Sequence, residues 1–531
     1  MIKKFLNNFI IVSNYIRHNK NYLYNKNYSD NIFLIEFNRW QVMHITFSYL
    51  ANFFSEKKNC KIIAFDSHNL FKKVTFIEKI KWNLGKIFNF KTFGVYSSFG
   101  TKDFLRIKNN KFIIERSIKF FEYFYKKDVT LKKLENLRVE NIWIGDLIYD
   151  SYLKKFSLST VDLNSKNFKF FFLECLNNFF FWFDYFNNNK VKGIAVSHAV
   201  YILAIPLRIA ESKKILNFCF SEMSIVNCTN KISYKYKKNN SDIHSRYFKK
   251  IFNQFNKAEV KNYLKIGKEC INKIISGETK YSYLKKTSFP KQKAFSNYFN
   301  NSKKKKIVIY SHVFSDSPHI YGNHFFPDYT EWLNFLAQIA KKTDYEWFIK
   351  RHPNEDVSTK TAIKFFLKNF PNIRLLPKNI SNIYLANKID FAFTVFGTVA
   401  SELPLFGVKV INASINNPHF NYKFCINPKN ISDYKKILLN LNKNNFKINL
   451  NDLYEFHYMK KNYLDPENSF IFSDIKDYFR IDRESGREVK FTNLCYKVWL
   501  SKFTQEKHLK IKTIFKRFIE SGSYMVMPSH K

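Results

Sequence analysis

Glycine is scarce in this chain, and the glycine motifs that mark many phosphate-binding loops are missing. The 531 residues include 12 glycines, no two of them spaced as G-x-G, and no G-x-x-x-x-G-K-[ST] occurs. These two patterns place backbone N–H groups around phosphates in dinucleotide-binding domains and P-loop proteins. Their absence excludes the standard dinucleotide fingerprint and a P-loop.

Paired metal-binding and disulfide-forming residues are missing too. No D-x-D is present, which removes the usual carboxylate pair that holds a divalent cation on a diphosphate and favours metal-independent chemistry, with no cofactor. The cysteines are odd in number and never spaced as C-x-x-C, which indicates free thiols in a reducing compartment. They are Cys60, Cys175, Cys219, Cys228, Cys270, Cys425 and Cys495.

Long uninterrupted apolar runs are absent as well. Residues 168–186 form the most apolar segment, but polar residues interrupt it, and it falls short of the ~20 apolar residues that span a bilayer. Asparagines interrupt the basic, apolar N-terminus and no small-residue cleavage site follows, so no secretory signal is expected. We therefore expect a cytoplasmic protein in which residues 168–186 form a buried aromatic helix.

Positive charge is what the chain has in excess. It contains 88 Lys and Arg residues against 43 Asp and Glu, a formal net charge of +45. Lys, Asn, Phe, Ile and Tyr are abundant throughout, so compositional bias on solvated faces accounts for much of the excess. An anionic inner-membrane surface would still attract the protein peripherally, by about 1 kcal/mol for each well-placed cation, whereas specific nucleic-acid recognition is not expected.

Short apolar runs alternate with helical patterns in both halves of the chain, as is typical of βαβ units and parallel sheets. In the first half, strands are predicted at Ile32–Phe37, Lys61–Asp66, Lys91–Gly100, Asn141–Asp146 and Lys192–His198. In the second half, strands are predicted at 305–312, 345–353, 373–377 and 389–395, with helices at 329–341, 359–370, 380–387 and 397–406.

The expected fold class is α/β, with two Rossmann-like doubly wound domains that face a cleft, a helical linker and a C-terminal helical extension. The first domain is predicted at 1–228, a basic linker with one helix near 258–275 at 229–302, the second domain at 303–480 and the extension at 481–531. The extension either packs back on the first domain or presents a membrane-facing surface.

A basic loop follows a predicted strand of the second domain. It consists of Lys350, Arg351, His352 and Pro353, at the sheet edge where open α/β sheets bind ligands. An imidazole beside a guanidinium suits an anionic leaving group, because histidine can donate a hydrogen bond or a proton to a departing phosphate. An ordinary loop histidine with a structural hydrogen bond is the alternative interpretation.

A second strand of this domain leads into a turn at Gly397. This glycine allows close backbone approach, and the Thr398 hydroxyl and the first N–H groups of the following helix form a candidate phosphate cradle. Ser401 is a further donor-binding candidate. Glu402 lies one turn after Thr398, where its carboxylate could accept hydrogen bonds from ribose hydroxyls. An ordinary helix cap with a first-turn acid would look the same.

Other polar residues end strands on the predicted cleft side. In the second domain His312 or His319 is a candidate phosphate ligand and Asp316 could orient a hydroxyl, although turn chemistry also accounts for this loop. In the first domain Asp146, Asp150 and His198 are candidates for the general base that deprotonates an acceptor hydroxyl.

The residues from Ile307 to Leu439 resemble bacterial capsule and surface-polysaccharide biosynthesis proteins. The resemblance rests on His352-Pro353, on Gly397-Thr398 with Glu402, and on the segments IGDLIYDSYL, SHVFSDSPH and DYTEWL. It is strongest to the capsular β-Kdo transferase type, and looser to CDP-glycerol polyol phosphotransferases and bacterial sialyltransferases. The first domain matches only in pieces.

This resemblance implies a metal-independent GT-B glycosyltransferase that moves a sugar from a cytidine- or other nucleotide-activated donor onto a growing capsule or lipopolysaccharide. The second domain would bind the nucleotide-sugar and the first domain the glycan or glycolipid acceptor. Three alternatives remain open: a CDP-polyol phosphotransferase, a sugar-nucleotide 2-epimerase, and a non-catalytic basic protein that binds membrane or nucleic acid.

Overall fold

A computed structural model describes most of the chain. The described residues are 2–24, 29–66, 75–108, 110–126, 128–220, 225–227, 244–278, 289, 298–299, 302–464, 469, 471–472, 475–523 and 526. The strands are Ile32–Glu36 (β1), Lys61–Phe65 (β2), Thr101–Leu105 (β3), Arg138–Val139 (β4), Ile142–Trp143 (β5), Val191–Val196 (β6), Leu216–Phe220 (β7), Ile225–Asn227 (β8), Lys306–Tyr310 (β9), Glu346–Lys350 (β10), Ile373–Leu375 (β11), Phe391–Thr394 (β12) and Lys409–Asn412 (β13).

Helices surround these strands in both halves. They are Ile2–Tyr22 (α1), Gln41–Lys58 (α2), Phe76–Phe88 (α3), Thr92–Ser98 (α4), Lys111–Tyr125 (α5), Leu131–Glu135 (α6), Gly145–Phe156 (α7), Lys166–Asn188 (α8), Ile205–Ser212 (α9), His244–Phe252 (α10), Lys257–Ile275 (α11), Tyr329–Ala340 (α12), Val357–Asn369 (α13), Asn382–Ala386 (α14), Ile431–Leu439 (α15), Leu450–Leu464 (α16), Ile475–Phe479 (α17), Leu494–Ser501 (α18) and Gln505–Ser521 (α19). Short 3-10 helices lie at Ile202–Ala204, Thr398–Ser401, Leu403–Phe406, Leu441–Lys443 and Val489–Phe491.

The first sheet has six strands in the order β3-β2-β1-β6-β7-β8, all parallel to their neighbours except β8. Its central strand β1 is buried at every position. The second sheet has the order β11-β10-β9-β12-β13 and is parallel throughout. Strands buried by helices on both faces have continuous apolar sequences, which is why the sequence revealed them.

In each sheet the strand order runs outward in both directions from one place, which is the switch point of the sheet. β1 lies beside β6 in the first sheet, and β9 lies beside β12 in the second. Open α/β sheets bind ligands in the crevice beyond the carboxyl ends of the strands at such a switch point. The prediction of an α/β protein with two doubly wound domains is confirmed, and it places the candidate site at these two crevices.

Two predicted strands are wrong. Residues 91–100 form α4 and its flanking turns instead of a strand, because Phe93, Tyr96 and Phe99 recur at helical spacing and are buried together. In the segment Asn141–Asp146, strand structure is confined to β5, which pairs antiparallel with β4 outside the main sheet. Glu140 and Asn141 have positive φ angles of 48° and 61° and turn the chain back at that point.

The predicted helix at 397–406 is wrong in type. Two short 3-10 helices replace it, and Pro404 in the second helix removes the N–H that a continuous α-helix would need. The apolar segment 168–186 does lie within a helix, α8, whose inner face is buried. No described helix is long and apolar enough to cross a membrane.

Helices from outside the two sheets complete the packing. The predicted linker helix is α11, which crosses α16, while much of the remaining linker and part of the segment before α17 lie outside the described residues. The C-terminal helices α18 and α19 pack on α1 and α2 of the first domain. Tyr496 stacks on Tyr15 at 4.3 Å and Tyr49 lies 3.1 Å from His508, so these helices contribute to the first domain's core.

Candidate functional site

Three strand ends of the second sheet meet at its switch point. His312 follows β9, Arg351 and His352 follow β10, and Gly397 follows β12. The loops are joined directly: the His352 N–H donates to the Ser311 hydroxyl at 3.1 Å, and the Val395 N–H donates to Nε2 of His312 at 3.2 Å. The predicted convergence of the basic loop and the Gly397 turn at one edge is therefore present in the structure.

His352 is half-buried at this edge and its tautomer is set by the backbone. Its Nδ1 accepts the N–H of Asn354 at 3.1 Å, so the proton of the neutral ring lies on Nε2. Burial lowers the pKa of His352 to about 4, a shift that the nearby carboxylates of Asp316 and Glu355 oppose. No described residue accepts a hydrogen bond from Nε2, so His352 presents a neutral N–H donor at physiological pH.

The two cations beside His352 have different environments. Arg351 is partly exposed, with its Nε 3.7 Å from Oε2 of the buried Glu355, whose other oxygen contacts Nζ of Lys378 at 3.0 Å. Lys350 is buried and its Nζ donates to Oδ1 of Asn382 at 2.5 Å. Burial lowers the pKa of Lys350 to about 8. Arg351 is therefore the cation available at the surface of the loop, and Pro353 follows His352 at intermediate burial.

The Gly397 turn is built around the side chain of Thr394. The hydroxyl of Thr394 accepts the Gly397 N–H at 2.9 Å and lies 3.0 Å from Nε2 of His312. A Cβ on Gly397 would stand 2.6 Å from that hydroxyl oxygen, so a side chain there would displace the turn. The close approach predicted at Gly397 is made by the Thr394 side chain. Thr398 is half-buried and begins the 3-10 helix, whose first N–H groups have no acceptor inside the helix.

Ser401 and Glu402 face inward from this turn. The Ser401 hydroxyl donates to the Thr398 carbonyl at 3.1 Å, and its own carbonyl accepts Nε2 of His457 at 2.7 Å. Glu402 is 1% exposed and lies close enough to Tyr310 and Lys350 to affect the pKa of both. Glu402 is therefore closed to a ribose from solvent, and the buried Ser401 side chain is closed to a donor molecule in the same way.

His312 is a buried, neutral component of the loop framework. Its ring stacks on Tyr329, with centroids 4.5 Å apart and planes 4° apart. Because Nε2 accepts the Val395 N–H, the proton lies on Nδ1. Burial holds the pKa of His312 well below its usual value, and the neighbouring His352 and His324 add to this shift.

His319 connects the two domains. Its Nδ1 lies 2.6 Å from Oδ1 of Asp150, its backbone N–H donates to Oδ2 of the same carboxylate at 3.1 Å, and its Nε2 is 3.4 Å from Glu135. All three side chains are at most 3% exposed. Burial alone would lower the pKa of His319, but Asp150 and Glu135 raise it to about 10. Asp150 and His319 thus form a buried ion pair between the two domains.

Asp146 is likewise engaged inside the first domain. Its carboxylate binds both terminal nitrogens of Arg208, at 2.9 and 2.5 Å, and Arg208 also donates to the Trp143 carbonyl at 2.8 Å. The two charged side chains are 2% and 1% exposed. This pair holds α7 against α9 and leaves Asp146 no access to an acceptor.

Asp316 stands at the cleft between the domains. Its Oδ1 accepts Nζ of Lys154 at 2.8 Å and the Tyr201 hydroxyl at 2.7 Å, both from the first domain. Its side chain remains 52% exposed, and no described residue forms a hydrogen bond or an ion pair with Oδ2. Partial burial would raise its pKa, but Lys154 and Tyr201 lower it, so Asp316 is an ionised carboxylate close to His352.

His198 lies at the switch point of the first sheet. It follows β6, its Nδ1 is 2.7 Å from the Ser197 hydroxyl, and its ring meets Trp40 edge-on at 5.5 Å. Trp40 itself follows β1. His198 is half-buried and is the predicted first-domain residue that remains at the crevice.

The structure thus divides the predicted residues into two sets. Arg351, His352, Pro353, Gly397 and Thr398 lie together at the second crevice, with Asp316 and His198 on the cleft side. The others are buried in framework contacts: Asp146, Asp150, His312, His319, Lys350, Ser401 and Glu402. Sequence reasoning missed Asn354, Ser311, Lys154 and Tyr201, which position His352 and Asp316. Asn354 directly follows His352-Pro353 and could have been found by its place in the turn.

A separate cavity of about 680 Å³ lies between the domains. It is bordered by the end of α7 and the residues that follow it (156–160) and by α12 and α13, and its lining includes Phe314, Phe365 and Phe370. None of the predicted site residues lines it. The polar strand ends, and not this apolar cavity, therefore define the candidate site.

Distant similarity to sugar-processing proteins is seen among solved structures. No protein-family model and no curated protein sequence matches the chain. Among solved structures, the β-Kdo 2,4 transferase of Thermosulfurimonas dismutans KpsC is 9% identical over 50% of this chain and 79% of its own, with a TM-score of 0.33. Its β-Kdo 2,7 transferase is 12% identical over 62% and 96%, with a TM-score of 0.30.

A glycosyltransferase from Rickettsia africae is 10% identical over 90% of this chain and 100% of its own, with a TM-score of 0.22. Similar structures also include a UDP-GlcNAc 2-epimerase from Neisseria meningitidis bound to UDP-GlcNAc, at 10% identity over 81% and 97%, with a TM-score of 0.21. At such identities and TM-scores these matches assign neither activity nor ligand.

Proposed function

We propose that this chain is a GT-B glycosyltransferase that moves a sugar from a nucleotide-sugar donor onto a bacterial surface polysaccharide. One observation carries the proposal: the neutral Nε2–H of His352, fixed by the Asn354 N–H on Nδ1, lies beside Arg351 at the switch point of the second sheet. A donor N–H, a cation and the N–H groups at Thr398 suit the phosphate of a departing nucleotide.

The proposed chemistry uses the two sides of the cleft. An acceptor hydroxyl attacks the anomeric carbon of the donor, the bond to the acceptor oxygen forms, and the bond to the phosphate oxygen breaks. Oδ2 of Asp316 takes the proton of the acceptor hydroxyl, while Lys154 and Tyr201 hold the other oxygen. His352 and Arg351 stabilise the charge that develops on the leaving phosphate. His198 lies on the first-domain side, where it can orient the acceptor.

The resemblance of the second half of the sequence puts a CMP-activated sugar first among donors and a growing capsule or lipopolysaccharide glycan first among acceptors. No metal ion takes part in the proposed transfer, because Arg351 supplies the positive charge that stabilises the leaving phosphate. An acceptor carried on a lipid would bring the protein to the anionic inner membrane. A thermal-shift screen against CMP, CDP, UDP, GDP and ADP, each with and without EDTA, tests the donor class.

We expect one nucleotide to raise the melting temperature whether or not EDTA is present, because a ligand of the folded state stabilises it by RT ln(1 + [L]/Kd). His352→Ala should reduce this shift and lower turnover by about 10²-fold, since it removes a donor to the leaving group. Lys360→Ala, which removes an exposed cation from α13, should change neither. If His352→Ala lost turnover and stability to the same extent, His352 would have a structural role and no role in the mechanism.

The base is tested separately. Asp316→Asn should lower turnover by about 10²-fold to 10⁴-fold while the nucleotide still raises the melting temperature. His198→Gln should act mainly on the Michaelis constant for the acceptor. If only His198→Gln abolishes turnover, the base is His198. If no nucleotide shifts the melting temperature and polyanions bind with a steep salt dependence, the protein is a basic binding protein instead.

A further inference from the structure

Helix α3 of the first domain carries its apolar side chains on the outside. Six of them are exposed: Phe76 76%, Ile77 61%, Ile80 42%, Leu84 49%, Ile87 68% and Phe88 71%. At 100° per residue these side chains fall within an arc of about 120° on one side of the helix. No described residue covers this arc. Contiguous exposed apolar surface of this kind marks an interaction site.

The helix is nevertheless well formed and fixed in orientation. Thr75 and Glu78 form a capping box at its start, with N···O distances of 3.2 and 3.1 Å. On the opposite side Trp82 packs edge-on against Phe37 and Phe93, at 5.1 and 5.0 Å. A Cβ on Gly85 would stand 2.5 Å from the Phe93 ring, so the helix backbone lies directly on the domain. The apolar arc is therefore held outward.

Lysines border the apolar arc on both sides. Helical spacing places Lys81 next to Phe88 on one border and Lys79 and Lys86 toward the other, and all three are exposed. The single acidic residue of α3, Glu78, is engaged in the capping box. Lys86 also contacts Asp103 at 2.5 Å, a pair in which both side chains are about half exposed. Lys81 on one border and Lys79 on the other have no ion pair with a described residue, so each border keeps a positive charge, and a partner that is apolar in the middle and anionic at its borders fits this face.

We propose that α3 binds the surface of an anionic lipid bilayer, lying in the plane of the membrane with its apolar arc among the lipid headgroups and upper acyl chains. An interfacial helix has this combination of a wide apolar face and bordering lysines. A second copy of this chain is a poorer partner, because a symmetric contact would bring the same lysines together. The proposal does not depend on the enzymatic activity, since vesicle binding is measured without nucleotide or acceptor.

Co-sedimentation of the full chain with vesicles tests the proposal. We expect binding to vesicles of phosphatidylcholine with phosphatidylglycerol, weaker binding to phosphatidylcholine alone, and partial retention at high salt, where charge attraction is screened but apolar burial is not. The double variant Ile80→Gln, Ile87→Gln should weaken binding to the anionic vesicles at least about tenfold. Its melting temperature should stay unchanged, because both side chains are exposed.

The matched control lies on α5, where Phe112 and Tyr123 are 63% and 65% exposed but share their side of the helix with the charged residues Glu115, Lys119 and Glu122, so they form no contiguous apolar arc. Phe112→Gln with Tyr123→Gln should leave vesicle binding unchanged. An α3 variant that binds as tightly as the original chain would overturn the proposal. So would a dimer in light scattering that the α3 substitutions convert to a monomer, because the face would then bind a second copy.

Discussion

At the scale of single residues, the ion pair between Asp146 and Arg208 indicates a structural role for Asp146, whereas the sequence suggested a catalytic one. Both side chains are almost fully buried, and the guanidinium also lies over the Trp143 ring at 4.5 Å. Replacing one partner leaves the other charge buried without its counter-ion. Asp146→Asn should therefore lower the free energy of unfolding by about 3–5 kcal/mol, as measured by urea denaturation.

The control is an exposed ion pair of similar composition. Lys111 and Glu115 lie 3.8 Å apart with side chains 91% and 61% exposed. Lys111→Met should change the free energy of unfolding by less than about 0.5 kcal/mol. If Asp146→Asn abolished turnover without loss of stability, the carboxylate would be reaching an acceptor after all.

The sequence predicted which polar residues lie at strand ends, but it did not predict which of them are accessible to a ligand. Arg351, His352, Gly397 and Thr398 follow apolar strands, so their place at the carboxyl edge of the sheet followed from the strands themselves. The fates of Asp150 and Asp316 did not, because their partners are 169 and 162 residues away in sequence. Only the packing of the two domains determines that the Asp150 carboxylate is buried and that the Asp316 carboxylate stays exposed.

At the scale of secondary-structure elements, the crossing of α11 and α16 depends on one glycine. A Cβ on Gly267 would stand 1.9 Å from the carbonyl oxygen of Tyr454, which is closer than any side chain tolerates. Helix propensity alone would make Gly267→Ala stabilising by about 1 kcal/mol. We expect the opposite, a loss of about 1–3 kcal/mol in urea denaturation, because the helices must move apart.

Lys268→Ala is the control for this crossing, since Lys268 is the next residue of α11 and is exposed. It should change the free energy of unfolding by less than about 0.5 kcal/mol. A Gly267→Ala variant more stable than the original chain would show that α11 and α16 do not touch at this point in solution.

The elements that the sequence predicted well are those buried on both faces. β1, β2, β9 and β10 are continuous apolar runs, and their burial leaves no other interpretation. α4 was missed because a short segment rich in aromatic and β-branched residues also suits a strand. The 3-10 helices after Gly397 were missed because the pattern of apolar residues does not distinguish a tight helix from an α-helix, although Pro404 pointed to an interruption.

At the scale of the whole molecule, buried polar contacts join the two domains. The Tyr149 hydroxyl donates to Oδ2 of Asp328 at 2.5 Å, and the Thr330 hydroxyl donates to the Ser159 carbonyl at 2.9 Å. His319 adds an imidazolium between Asp150 and Glu135. Because polar groups of this kind are costly to bury without partners, the two domains should hold this arrangement as long as the His319 pair is charged.

The charge of His319 gives the interface a defined pH dependence. Its pKa is raised from the usual 6.5 to about 10, so the stabilisation is fully present below pH 6.5 and is lost as the pH rises toward 10. The difference in free energy of unfolding between the original chain and His319→Gln should therefore be largest below pH 6.5 and should shrink steadily as the pH rises from there toward 10. Urea denaturation of both proteins between about pH 6 and pH 9.5 measures this difference.

Tyr149→Phe provides the control, because it removes another interdomain hydrogen bond from a group that does not titrate in this range. Burial and the neighbouring Asp328 hold the pKa of Tyr149 well above its usual value. Its destabilisation should be the same at each pH. A His319→Gln difference that is equally constant, or that grows with pH, would mean that His319 is neutral in the folded protein. The domains would then be held together by hydrogen bonds and packing instead of by a buried charge.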